Sequence, residues 1–268
     1  MINGDCHLHT SYSADGFASM EEMILGSLEA GMEAVVFTDH VDFVYGEPTP
    51  YLIDYHAYTR EFQSLRERYG GRIHMTLGVE VGLEVGYNHI VEDFVKSFDF
   101  DFVIGSTHVV DSMDLALDRD RFFSGKTKAA SYGGYLEAVL ENARYSQYTT
   151  VFGHLDYAGR YGVYEDNFLY YEEHGEILDE ILKTIIRKDM GLEINTSGYR
   201  YGLSRPHPYE NILRRYKELG GEIITAGSDA HRPEDIACCF DKAAEVLKKT
   251  GFKAYTLFRE GKLTWEDL

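Results

Sequence analysis

The chain has 268 residues and a formal net charge of −19 at pH 7, enough length for one well-buried core and for a single α/β barrel domain over 1–268. The acidity disfavours a long nucleic-acid partner, which needs clustered Lys and Arg, and no apolar run reaches the roughly 18 residues of a membrane span. The N-terminus shows no secretory leader and the three cysteines give no disulfide framework, so a cytoplasmic protein is expected; nothing in the pattern fixes an oligomeric state.

In chain order, Ile2–His7 reads as a strand. Ser19 and Glu22 form a capping-box pattern ahead of a helix that stops at Gly31. Ala34–Thr38 reads as a buried strand, Asp54–Tyr69 as a helix ended by Gly70 and Gly71, and Ile73–Val81 as a strand. Ile90–Ser97 is a short helix, Phe100–Thr107 a strand, Tyr132–Ser146 a helix and Thr149–Leu155 a strand. A long amphipathic helix spans Tyr170–Asp189, followed by a strand at Leu192–Asn195, a helix at Pro208–Leu219 and a strand at Ile223–Gly227. A helix near Pro233–Lys249 and a strand or edge element at Lys253–Arg259 close the chain. Strands alternating with helices predict a parallel sheet, and about seven such units predict an α/β barrel with strands inside and helices outside. The long loops Asp42–Ile53, Val109–Lys128 and Gly198–Pro206 all follow strands, on the side where barrel enzymes place their chemistry.

His7 and His9 stand two apart at a strand end, so both imidazoles project to one face. Five further segments end an apolar run in a metal-ligand type: Phe37-Thr38-Asp39-His40, Gly78-Val79-Glu80, Gly105-Ser106-Thr107-His108, Gly153-His154 and Gly227-Ser228-Asp229-Ala230-His231. A single strand-end histidine is most often a polar residue leaving a core. Six of the eleven histidines follow this rule, and parallel-barrel strand ends converge in space. Buried, convergent imidazoles and carboxylates repel or lack partners unless a cation sits among them. Imidazole with carboxylate and no cysteine cluster suits zinc, manganese or iron. Glu80, with two oxygens on a central strand, is the natural bridging ligand.

Together these motifs resemble the PHP (polymerase and histidinol phosphatase) family, its histidinol-phosphatase branch in particular, over nearly the whole chain. The resemblance implies a distorted barrel of seven β/α units and a centre of three divalent ions. It implies His7, His9, Glu80 and Asp229 at the first ion, Glu80, His108 and His154 at the second, and Asp15, His40 and His231 at the third. Many relatives carry His where this chain has Asp15, which makes the third site richer in oxygen. Taken alone, Ala14-Asp15-Gly16 is also a good turn.

The expected activity is hydrolysis of a phosphate monoester by a metal-bridging hydroxide, since one side chain supplies only about 10²–10⁴ of the very large rate factor required. Asp229 is the candidate to orient that water and take its proton; no general acid is assigned. Arg160, Arg200 and Arg205 lie in loops after strands and are candidate phosphate holders, Arg160 and Arg205 foremost. The resemblance points to L-histidinol phosphate as the small substrate. Asp42, Glu193 and His207 are candidates to face its organic half, with a hydrogen-bonding structural role as the alternative for each. Competing readings are a family phosphoesterase of nucleotides or other small esters, a metal-stabilised scaffold without turnover, and an amidohydrolase. The last is disfavoured because Glu80, not a lysine, holds the bridging position.

Overall fold

Apolar residues occupy both faces of the predicted strand segments, which is the pattern of strands buried between a barrel interior and a helical layer. The computed structural model describes residues 1–44, 47–48, 52–259 and 261–268, with 44, 47 and 48 described in backbone only. Part of the loop expected over Asp42–Ile53 lies outside the described residues. Seven parallel strands run β1 (Gly4–Leu8), β2 (Ala34–Phe37), β3 (His74–Gly82), β4 (Phe102–Ser106), β5 (Val151–Phe152), β6 (Gly191–Asn195) and β7 (Ile224–Gly227), each paired to the next in chain order. The ring closes at the top. Leu8 bridges to Ala230, the Asp229 N–H donates to the His7 carbonyl at 2.9 Å, and the His9 N–H donates to the Ala230 carbonyl at 2.9 Å.

Helices α1 (Met20–Glu29), α2 (Tyr55–Tyr69), α3 (Asn88–Lys96), α4 (Lys128–Tyr145), α5 (Tyr171–Arg187), α6 (Glu210–Glu218) and α7 (Phe240–Lys249) surround the strands. The capping box is present: Ser19 Oγ accepts from the Glu22 N–H, and Glu22 Oε2 accepts from the Ser19 N–H at 2.8 Å. Leu178, Ile181, Leu182 and Ile185 form the buried stripe of α5 at helical spacing.

Local departures from the sequence reading have visible causes. Helix α4 starts four residues early because Thr127, not a residue near 131, caps it through the Ala130 N–H. The Pro208–Leu219 segment turns helical only at Glu210, since Asp156 Oδ2 holds the Tyr209 N–H at 3.2 Å. The single helix expected near Pro233–Lys249 is a 3₁₀ turn at Pro233–Asp235 followed by α7, with Ala237 and Cys239 between them at φ 55° and 63°. The buried Asp5 carboxylate accepts the Ala237 N–H at 3.1 Å and fixes that break.

The C-terminal tail is a full antiparallel hairpin, β8 (Ala254–Arg259) with β9 (Lys262–Asp267). It reaches the lower ends of four strands. Tyr255 bonds Asn3 before β1, Thr256 accepts from Ile224 of β7, Phe258 packs edge-on to Phe102 of β4, and its carbonyl accepts from Thr76 of β3. This hairpin closes the barrel floor, so the chemistry is left to the opposite rim.

Close strand contact sets a test of the wall. A Cβ at Gly78 would lie 2.9 Å from the Phe102 carbonyl and 3.0 Å from the Phe37 carbonyl, both backbone atoms. Gly78→Ala is expected to destabilise the metal-free protein by about 1–3 kcal/mol, read as a lower urea midpoint with unchanged slope.

Candidate metal centre

Period-2 alternation turns Asp5, His7 and His9 to the inside of β1, while Cys6 and Leu8 pack outward in the core. Strand β2 ends at Phe37, and the chain resumes as a two-residue strand, His40–Val41, paired to the long β3 with His40 opposite Glu80. His108 and His154 follow the ends of β4 and β5, and Asp229 and His231 follow β7. All nine residues expected as ligands come together at this rim.

Glu80 is their centre. Its Oε2 lies 3.2 Å from His7 Nε2, 3.5 Å from His9 Nε2 and 2.9 Å from His40 Nδ1. Its Oε1 lies 3.0 Å from His154 Nε2 and 3.5 Å from His108 Nε2, and accepts from Ser106 Oγ at 2.6 Å. Asp229 Oδ1 is 3.4 Å from His9 Nε2 and 3.8 Å from His7 Nε2. Asp15 Oδ2 is 3.3 Å from His231 Nε2 and 3.8 Å from His40 Nε2. Among the described residues, donor atoms within 4.8 Å of one another group as His7, His9 and Asp229; Glu80, His108 and His154; His9, His40 and His231; and His40, Asp42 and His108.

The hydrogen bonds behind the rings show what these groups are prepared for. His7 Nδ1 donates to Glu193 Oε1 at 2.6 Å, His108 Nδ1 to Asp42 Oδ1 at 2.9 Å, and His231 Nδ1 to the Asp229 carbonyl at 3.1 Å. His9 Nδ1 meets Ser13 Oγ at 3.2 Å, and Ser13 spends its own proton on Asp39 Oδ1 at 2.7 Å, so His9 is the donor there. Each of these rings is anchored through its outer nitrogen and turns Nε2 inward, the atom a metal-ligating histidine offers once the ring is neutral. His7 Nε2, His9 Nε2, His231 Nε2 and Glu80 Oε2 are buried without a hydrogen bond. Buried polar atoms are otherwise almost always bonded. The donor set fits divalent ions.

The electrostatics agree. Burial pushes the Glu80 carboxyl up, but positive charge on His7 and His40 and bonds from His108 and His154 outweigh it and hold it well below the carboxylate range. Burial and the neighbouring His231 and His40 push His9 well down. For His40 burial acts downward, yet the Glu80, Asp42 and Asp15 charges raise it to about 9. Asp229 stays ionised because His7, His9 and Arg160 outweigh its burial.

The residues expected to hold substrate divide. Arg160 reaches the rim: its Nη2 donates to Asp229 Oδ2 at 3.2 Å and to Ser197 Oγ, with the guanidinium between the Tyr157 and Tyr201 rings. Arg200 instead donates to the Ser228 and Asp229 carbonyls at 2.7 and 2.8 Å, bracing the backbone where Asp229 adopts φ 56°. Arg205, 6 % exposed, lies over Phe168 and Tyr209, and Nε and Nη1 have no hydrogen-bond partner. His207 is buried against Asp156. Glu193 sits behind the imidazoles, whereas Asp42 backs the His108 ring and also lines the cavity at the rim. Besides His7, Glu193 accepts the His154 N–H at 2.9 Å.

Sequence reasoning missed Ser13 and Asp39 as parts of the site. Asp39 accepts from the Thr10 N–H at 2.7 Å and the Ser13 N–H at 3.0 Å, which locks the turn after β1. The available signal was an aspartate between a buried run and His40, a place where a carboxylate needs several donors.

Parallel strands with an imidazole–carboxylate cluster at one rim define a metal-centre barrel. Residues 5–197 match the PHP domain family, and the chain belongs to that family. A histidinol-phosphatase of Lactococcus lactis subsp. lactis is 32 % identical over 95 % of this chain and 93 % of its own length. A probable histidinol-phosphatase of Clostridium acetobutylicum is 29 % identical over 93 % of this chain and 94 % of its own. The crystal structure of histidinol phosphate phosphatase from L. lactis, complexed with zinc, L-histidinol and phosphate, covers 98 % of both chains at 30 % identity with a TM-score of 0.87.

Because Glu193 orients His7 and anchors the His154 backbone, Glu193→Gln is expected to weaken metal binding by about 10–100-fold while the metal-free protein keeps its thermal midpoint. Competition with a chromophoric chelator measures the first, and circular dichroism the second.

Proposed function

We propose that this protein is an L-histidinol-phosphate phosphatase, hydrolysing the monoester at a centre of three divalent ions held on one barrel domain. The observation that carries the reading is Glu80, buried with one oxygen toward His7, His9 and His40 and the other toward His108 and His154. A carboxylate so placed joins two ligand sets. The zinc, L-histidinol and phosphate in the L. lactis structure support the substrate and the metal class. Zinc, manganese and iron all suit these donors.

His7, His9, Glu80 and Asp229 would hold one ion, Glu80, His108 and His154 a second, and Asp15, His40 and His231 a third. Bound ions would lower the pKa of water and offset the charge on the phosphate oxygens. Asp229 presents Oδ1 to the histidines and Oδ2 to Arg160, so it is positioned to orient a water and take its proton at a carboxylate oxygen. Arg160 holds a phosphate oxygen beside it. Arg205 keeps two unpartnered donors for an anion. Arg200 holds the Asp229 turn in place, and Glu193, Asp42 and Ser13 fix the ligand rings. His207 and Asp156 form a buried pair under the Asn195 segment, where the His207 N–H donates to the Asn195 carbonyl at 2.8 Å. Among the described residues no helix is long and apolar enough to cross a membrane. We assign the enzyme to the cytoplasm, a reading supported by its three free cysteines.

Steady-state assays against a panel of monoesters with Zn²⁺, Mn²⁺ and Fe²⁺ in turn test the function. L-Histidinol phosphate should exceed nucleoside monophosphates by a wide margin; the reverse order would overturn the substrate. Removal of metal by chelation should abolish turnover and lower the thermal midpoint, because the ligands belong to separate strands. Full activity in metal-free protein would end the proposal. Arg160→Ala should cut kcat/KM by about 10²-fold or more with metal content unchanged; metal loss in that variant would contradict its assigned role.

A further inference from the structure

The longest loop predicted from sequence, Val109–Lys128, is not absorbed by the metal centre, yet it is built to a definite shape. After His108 the chain forms a tight hairpin, Val109–Val110 against Met113–Asp114, with Asp111 and Ser112 at φ 50° and 60°. Two left-handed residues make a two-residue turn of the primed type. The Leu115 N–H returns to the His108 carbonyl at 3.0 Å, and Leu115, Phe122 and Phe123 bury the loop's apolar side. Arg119 then clamps this loop to the one after β5, donating to the Tyr161 carbonyl at 2.7 Å and the Gly162 carbonyl at 3.0 Å.

Between the two loops lies a cavity that opens at the rim, bounded by His40 and His108 on one side and by Asp114, Leu117, Tyr157 and Tyr161 on the others. Its two tyrosines meet edge to face, 5.1 Å between ring centres. Three carboxylates line it, and two are occupied by the rim: Asp15 by His231 and His40, Asp42 by His108 and His40. Asp114 is different. Its Oδ1 accepts the Ala116 and Leu117 N–H groups at 2.8 and 2.9 Å, which fixes the side chain. Its Oδ2 takes no hydrogen bond from any described residue.

We propose that Asp114 is the specificity residue of the site, receiving a protonated amine on the organic half of the substrate while Tyr157 and Tyr161 wall that half. The proposal rests on the phosphatase reading above. A phosphate held at the rim leaves the adjoining carbons of its ester in this cavity. A cation there meets a fixed, unshared carboxylate oxygen and aromatic faces, both of which favour it. The wall is clamped in place before binding, so little ordering opposes the contact.

The test compares the metal-loaded parent with Asp114→Asn, in which the amide oxygen still accepts the two turn N–H groups while the charge is gone. Substrates are L-histidinol phosphate and p-nitrophenyl phosphate, which has no amine; L-histidinol serves as an inhibitor of the latter. D114N should raise KM for L-histidinol phosphate and Ki for L-histidinol by about tenfold or more, leave kcat within about twofold, and leave p-nitrophenyl phosphate unaffected. Equal losses on both substrates, or a parent-like Ki, would overturn the proposal. Asp114→Ser, which also retains a turn acceptor, repeats the reading should the amide variant fold poorly. A parent that shows no preference for L-histidinol phosphate sinks the substrate assignment; a parent preference that survives in D114N sinks the subsite alone.

Discussion

Glu80 has no exposed surface, and five imidazoles stand within 3.5 Å of its two oxygens. No protonation state of that cluster is comfortable by itself. With the imidazoles neutral, Glu80, Asp229 and Glu193 leave several negative charges in a dry interior. With the imidazoles charged, His9 stacks at 4.2 and 4.1 Å on His40 and His231, and like charges about 4 Å apart repel by about 4 kcal/mol at an effective dielectric near 20. Divalent cations resolve both conditions together.

The same cluster sits on the seam of the barrel. The backbone bonds that close β7 onto β1 are made by His7, His9, Asp229 and Ala230, so three residues of the candidate metal cluster also complete the ring. Asp5 extends this coupling by accepting from the Ser228 and Ala237 N–H groups, and Arg200 adds two bonds to the carbonyls of Ser228 and Asp229. The left-handed backbone at Asp229 is thus held from several directions, the condition under which a strained residue persists at a working site. Gly227 belongs to the same arrangement: a Cβ there would fall 2.1 Å from Glu193 Oε1 and 2.5 Å from the Cβ of His7.

The clustering of the candidate ligands was legible in the sequence because strand geometry is periodic and barrel strand ends converge. His7 and His9 needed only alternation, and His108, His154 and Asp229 only their position after an apolar run. What lay behind them was not legible. Whether Glu193 and Asp42 face a substrate or an imidazole depends on which side chain from a distant strand arrives beside them, and His7 meets Glu193 across 186 positions of chain. The arginines divided for the same reason: spacing put all three in suitable loops, and only packing distinguished a guanidinium at a carboxylate from one bracing a backbone. In the fold, β9 is not apparent from sequence because Lys262–Asp267 has no fully buried residue to mark a core face, and the interruption before α7 is not apparent because the carboxylate that causes it is Asp5, at the other end of the chain.

Exposure within the rim gives the site a direction. Glu80, His7 and His9 are sealed, whereas the Asp15 side chain is 51 % exposed and borders the cavity under the Val109–Asp114 hairpin. Anything entering by that cavity therefore meets Asp15 and His40 first, with the buried Glu80 beneath them. On a chain of charge −19, that entrance repels anions unless ions at the rim offset its carboxylates. A compact ester with one phosphate and a compensating positive group crosses such a mouth more readily than a polyanion of the same size. Charge at the entrance and the imidazole–carboxylate cluster at the floor thus favour the same class of small phosphate ester.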